Sequence, residues 1–268
     1  MITNINFNCV YIIQSYPEND PQSGNGLSIL IDRLLYKFEN IIQELIDVET
    51  KQDFINAMEY IYNRLLKEGI IPYIHLEMHG SRDGIHFKND EMISWSDLRP
   101  MFSEINYKSK MQLFVSVATC YGGFMIKTPS PIERVPFLAY IGYVDEIGFP
   151  QAEGDWNEYF IALFNTMDFG EAVKALNNNN PNPQYLFYSA NLIWEEYKKN
   201  WNKMYDTEEK KHAKVLAMVQ IARDEGFNNP QIQMEVYFRS MIEKRHLHLD
   251  QLKGYFMHET DEFPKQLV

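Results

Sequence analysis

Leu113-Phe-Val-Ser-Val-Ala-Thr-Cys-Tyr-Gly-Gly123 is the stretch on which the reading of this chain turns. Apolar and β-branched residues run without a break into Cys120, and glycines follow at 122 and 123. Such a run, bounded by turn residues, predicts a buried strand over Gln112–Thr119. Its cysteine would then stand at the strand's carboxyl end, where open α/β sheets hold their ligands.

The flanking chain repeats the pattern. Asn6–Ser15, Ile70–His79, Pro136–Val144 and Tyr185–Ser189 read as further strands, with a small hairpin over Ser81–Ser94. Leu30, Leu34, Leu35, Phe38, Ile41, Ile42 and Leu45 keep helical spacing and predict one amphipathic helix over Leu27–Val48. Thr50 opens a second helix that Gly69 closes, and a short helix begins at Ser96 with Ser94 or Ser96 as its cap. Helices are also expected over 155–166 and 169–177. Strands separated by helices imply an α/β fold, a mostly parallel sheet flanked by helices. Beyond Ser189 the pattern is helical to the end. The expected division is a 1–190 α/β domain and a 191–268 helical extension.

Composition narrows the function. The chain has 268 residues, 45% hydrophobic and 14% aromatic, enough for a full core. Its 25 basic and 37 acidic residues give a net charge of −12, which argues against tracking a phosphate backbone or lying on an anionic membrane. Met1–Tyr16 lacks the order of a signal peptide, and no apolar run approaches the roughly 20 residues needed to span a bilayer. Cys9 and Cys120 cannot build a disulfide framework. A soluble, cytoplasmic protein with a free thiol is the expectation.

Two predicted strands end in reactive residues, His79 followed by Gly80 and Cys120 followed by Tyr121-Gly122. Acyl transfer by cysteine needs this pair, a thiolate to attack and an imidazole to take and return the proton. Backbone amides must also hold the oxyanion, and those of Gly80 and Cys120 are the candidates. Cys9, inside the first strand, is expected to be inert.

His79-Gly80 after a strand, then a hairpin, a helix and a strand ending in Cys120-Tyr-Gly, resembles the caspase-like (clan CD) cysteine peptidases. Histidine precedes cysteine by about 40 residues, near the spacing of caspases. Phe137–Gly142, Tyr159–Leu176 and Tyr185–Ser189 resemble the closing elements of the CHAT branch. The resemblance covers roughly residues 6–190. It implies a cysteine endopeptidase acting on a protein through His79 and Cys120, without a cofactor. It also implies regulated proteolysis, such as bacterial cell death or phage defence, under a regulatory protein partner or sibling subunit. Val117-Ala-Thr-Cys120 departs from the caspase signature. Ala118 stands where metacaspases carry an acid, so their preference for Arg or Lys is not implied. Glu18, Asp20, Asp145 and Glu146 occupy loops that would rim such a site and form a candidate substrate pocket.

Other readings compete. His75, Glu77 and His79 share one strand face, but members 6–7 Å apart are wide for a metal without a fourth ligand, and no metal is expected. His75 and Glu77 read instead as polar residues beside the dyad. Gly24-Asn-Gly26 is like a phosphate loop without its lysine and reads as a turn. Ile126 replaces the arginine of a phosphatase loop. His246 and His248 read as surface or packing residues. A protein-interaction module with an incidental dyad, or a thiol acyltransferase, would use the same fold. Trp194, Tyr197, Trp201 and Tyr205 recur at spacings of three and four and predict an aromatic stripe on one helix, covered by the α/β domain or by a second chain.

Overall fold

A computed structural model describes residues 6–127, 133–178, 184–224, 226, 229–247 and 249–260; the side chains of 245–248 and 250, His246 and His248 among them, lie outside the described residues. The chain divides into two compact units, one of residues 1–129 and 135–189, the other of 130–134 and 190–268.

The first unit is α/β, built on a mostly parallel sheet. Its strands are β1 (Cys9–Ser15), β2 (Ile42–Asp47), β3 (Pro72–Gly80), β4 (Gly84–His86), β5 (Met92–Ser94), β6 (Phe114–Val117), β7 (Ala139–Tyr143) and β8 (Tyr185–Ser189). The order is β2-β1-β3-β6-β7-β8, with β4 and β5 forming a small antiparallel ribbon on the end of β3. All pairings along the main path are parallel except β7 with β8. From β1 the chain moves outward to β2 and then returns to lay β3 on β1's other side. This reversal makes the carboxyl ends of β1 and β3 the switch point at which a crevice opens.

Six helices or helical turns join the strands: α1 (Ser23–Leu35), α2 (Lys51–Glu68), α3 (Trp95–Lys108), a 3-10 helix over Gly122–Lys127, α4 (Phe149–Thr166) and α5 (Phe169–Asn177). The sequence signals for α2 hold. Thr50 and Asp53 close a reciprocal capping box, and Gly69 takes the left-handed conformation at φ 70°. Alternation divides the strands between two faces. Val10, Ile12, Tyr73 and Phe114 meet Leu27 and Ile31 of α1 and Trp156, Phe160 and Phe169 of α4 and α5 in one buried cluster. Tyr11 points the other way, its ring 6.4 Å from Tyr60 of α2.

Three expectations need correction. The single helix over Leu27–Val48 is instead α1 followed by the edge strand β2. Helical spacing continued through Ile41, Ile42 and Leu45, but β1 offered Ile42–Asp47 a parallel ladder, which prevailed over local periodicity. Gly24-Asn-Gly26 lies inside α1's first turns and is not a turn; a β-carbon on Gly24 would sit 2.7 Å from Gln14 Oε1. Helix α4 starts at Phe149, with Gly148 as its N-cap and Pro150 in the first turn, where proline loses no bond.

The second unit comprises α6 (Ala190–Tyr205), α7 (Glu208–Asp224), α8 (Gln231–Leu247) and α9 (Leu249–Phe256). Val215, Val219, Ala222, Met234 and Ile242 form its buried cluster. The aromatic stripe exists: Trp194, Tyr197, Trp201 and Tyr205 stand ring to ring at 5.5, 6.0 and 4.7 Å. Phe256 of α9 packs on Trp194 at 5.6 Å, so part of the stripe's cover comes from within the unit, not from the α/β domain or a second chain.

Candidate active site

The last residues of β3 are the first component. Tyr73, His75, Glu77 and His79 alternate onto the face that α1 and α4 cover, and the cover runs out at His79. The His75 side chain is 0% exposed and that of His79 45%. His79 Nε2 lies 2.7 Å from Asp20 Oδ2, in the loop after β1. Two rings flank the imidazole edge-on, Tyr16 at 5.4 Å and Phe149 at 5.6 Å. With Asp20 accepting from Nε2, hydrogen-bond balance leaves the proton there and Nδ1 as the basic nitrogen.

Cys120 follows β6, the next strand in the sheet, and its thiol is partly exposed. Ile147, in the loop after β7, donates its amide to Sγ at 3.4 Å. Tyr121 then takes a left-handed conformation, φ 58°, rare for a residue with a side chain. It is held there by its amide bond to the Asp145 carbonyl at 2.9 Å and by its hydroxyl on Glu146 Oε1 at 3.1 Å. The chain thus turns sharply at the cysteine and enters the 3-10 helix, where a β-carbon on Gly142 would come within 2.6 Å of Gly122.

Gly80 joins the two components. A β-carbon there would lie 2.4 Å from the Cys120 carbonyl oxygen and 2.7 Å from Thr119 Oγ1, so only glycine lets β3 end against the cysteine. His79, Gly80 and Cys120, which the sequence reading grouped, are brought together at one end of the sheet. Of the four acidic candidates, Asp20 is drawn in as the partner of His79, and Glu146 holds Tyr121. Asp145 contributes its carbonyl and keeps its carboxylate at the surface, and Glu18 stands exposed on its loop.

His75 and Glu77 do not reach the rim. Their side chains pair at 3.0 Å in the interior, and Glu77 Oε2 accepts from Ser23 at 2.7 Å and Tyr16 at 3.2 Å. Ser23 is the first residue of α1, so the carboxylate occupies the positive end of that helix. Burial, with Glu77 beside it, pushes the Tyr16 hydroxyl far up, so it stays a donor. Tyr16, Ser23 and Phe149 were not singled out from sequence; the signal for Tyr16 was its place one residue past a strand end in the switch-point loop. Cys9 lies on the opposite face, fully buried, and burial pushes its thiol up to about 12. No cluster of His, Cys, Asp and Glu able to hold a metal occurs among the described residues. Nor is any described helix long and apolar enough to cross a membrane.

The unit is therefore an α/β sheet protein with a cysteine and an acid-paired histidine at adjoining strand ends. No known family model matches the chain, and no curated protein sequence matches it.

Proposed function

We propose that this protein is a cysteine endopeptidase of the caspase-like kind, acting on a protein substrate through His79 and Cys120. The observation that carries the reading is the abutment of Gly80 on Cys120, which makes neighbours of residues about 40 positions apart in sequence. In the proposed reaction His79 Nδ1 takes the thiol proton and Cys120 Sγ attacks the scissile carbonyl carbon. Backbone amides of Gly80 and Cys120 receive the developing oxyanion. His79 returns the proton to the leaving amine, a thioester remains, and water activated by the same nitrogen releases the acid. Asp20 orients the imidazole and stabilises it when charged. No cofactor takes part.

The resemblance noted above extends the proposal to regulated proteolysis in the cytoplasm, as in bacterial cell death or phage defence, with a protein regulator. A docking role for the helical unit is supported by Ile232, Val236 and Tyr237, which stand 76, 65 and 61% exposed on α8. The competing reading, an interaction module with an incidental dyad, draws on the same surface.

Labelling by a panel of peptidyl electrophiles tests the proposal. Cys120 should be modified, His79→Ala should slow modification on the order of 100-fold, and Cys120→Ala should end both labelling and peptide cleavage. Equal labelling of His79→Ala and the parent would favour the interaction module.

A further inference from the structure

The proposed reaction leaves a second titratable pair unused. His75 and Glu77 are buried side by side on β3, 0% and 4% exposed. Desolvating an imidazole and a carboxyl group is costly unless each polar atom is bonded, and here each is. Tyr73 donates to Ser116 Oγ at 2.9 Å, and Ser116 Oγ lies 2.6 Å from His75 Nδ1. The Glu77 carboxylate can only accept, so the imidazole proton sits on Nε2, 3.0 Å from Oε1; Nδ1 then accepts from Ser116, and Ser116 Oγ accepts in turn from Tyr73, whose hydroxyl also meets that of Tyr159 at 3.1 Å. Ser23 and Tyr16 complete the carboxylate from its other oxygen. The donors converge on Glu77, from His75 on the core side and from Ser23 and Tyr16 on the rim side.

The network stops at Tyr16, and Tyr16 is its contact with His79. The hydroxyl is fixed to Glu77, while the ring meets His79 at 84° and Phe149 at 63° with centroids 5.4 and 5.0 Å away. A phenol ring free at its hydroxyl could tilt; this one is pinned at both ends. The alternative, that His75 and Glu77 are only satisfied core residues, accounts for the same bonds but predicts no effect of the Tyr16 hydroxyl on His79.

Building on the dyad proposed above, we infer that Tyr16 is a positioning residue for His79, held in place by the buried His75–Glu77 pair. The pair's bond to the Tyr16 hydroxyl sets the ring, and the ring sets the plane in which Nδ1 points.

Tyr16→Phe in the full chain is the decisive variant, because it keeps the ring and removes only the hydroxyl, and with it the bond to Glu77. Two readouts follow it: the imidazole NMR signals of His79 across pH, and the rate of Cys120 carbamidomethylation by iodoacetamide across pH. The expected result is a shifted His79 signal, with Cys120 alkylation slowed on the order of 10-fold at unchanged melting temperature. Glu77→Gln should act in the same direction, and the double variant should be no worse than the more damaged single one, because both break one path. Unchanged His79 signals and an unchanged alkylation profile in Tyr16→Phe would overturn the inference, as would additive effects in the double variant. Should Glu77→Gln fail to fold, Tyr16→Phe decides alone. The NMR readout does not depend on peptidase activity, so failure of the enzymatic reading and failure of this inference are told apart.

Discussion

Gly80 approaches Cys120 so closely that a single added β-carbon would stand 2.4 Å from the cysteine's carbonyl oxygen. The obstacle is backbone on one side and the β-branched Thr119 on the other, neither of which can swing away. Gly80→Ala should therefore displace the end of β3 from the cysteine turn. We expect destabilisation of about 1–3 kcal/mol, the usual cost of overpacking, and a loss of Cys120 labelling larger than that cost accounts for. Denaturant melts and electrophile labelling of the same preparation provide the check. Parent-like labelling would mean that the approach has no part in reactivity.

Asp20 is the second point of test. Asp20→Asn keeps an acceptor for His79 Nε2 but removes the charge that favours the imidazolium. Cleavage and labelling should fall on the order of 10-fold or more, with little change in melting temperature because the pair is partly exposed. Glu18→Gln, on the same loop and with no side-chain partner among the described residues, should behave like the parent in the same assays.

Cys9 supplies a prediction about alkaline pH. Its folded-state thiol is pushed from 9.0 up to about 12 by burial. Between those values the unfolded chain has lost a proton that the folded chain retains, so stability must fall as pH rises through this window. The slope contributed by one such group is about 1.4 kcal/mol per pH unit. Cys9→Ala should be less stable than the parent at neutral pH, through the cavity it leaves, yet show a shallower decline above pH 9. Melting temperatures at pH 7, 9 and 10 read this directly, and parallel declines would refute it. Native protein at pH 8 should react with iodoacetamide at Cys120 and not at Cys9.

A chain ending at Ser189 should remain soluble and folded. The buried cluster on the α1, α4 and α5 face of the sheet draws its residues from Phe7 to Phe187 and none from α6–α9. Circular dichroism and size exclusion of the shortened chain are sufficient to judge. Aggregation would show that the helices beyond Ser189 are required to keep the sheet in solution.

The elements that were legible in the sequence are those with local causes. Thr50 and Gly69 bounded α2 because caps are made by residues near in sequence. The strands leading to His79 and Cys120 were visible because parallel strands, buried on both faces, are mostly apolar and β-branched, even with His75 and Glu77 set into β3. β2 was hidden for the converse reason. As an edge strand paired only with β1 it carries Gln43 and Glu44 among its apolar residues, and its pattern does not differ from the last turns of a helix. In the site, the histidine, glycine and cysteine stood out because each ended a recognisable run. The bond from Asp20 to His79 spans 59 positions and depends on the β1/β3 switch, which no local pattern reports. Asp20 therefore looked no different from Glu18, Asp145 or Glu146.

The bond between His75 and Ser116 has a further consequence. These two residues are directly paired across β3 and β6. Side chains alternate between the faces of a sheet, so sliding β3 by one residue would carry His75 and Glu77 to the side of α2 and leave both without partners. Apolar strands by themselves would tolerate that slip, since Ile74, Leu76 and Met78 bury as well on either side. The polar pair thus works as a parity check on sheet assembly: of the two alignments, the one that satisfies the buried imidazole also places His79 on the face where Asp20 and Phe149 meet it.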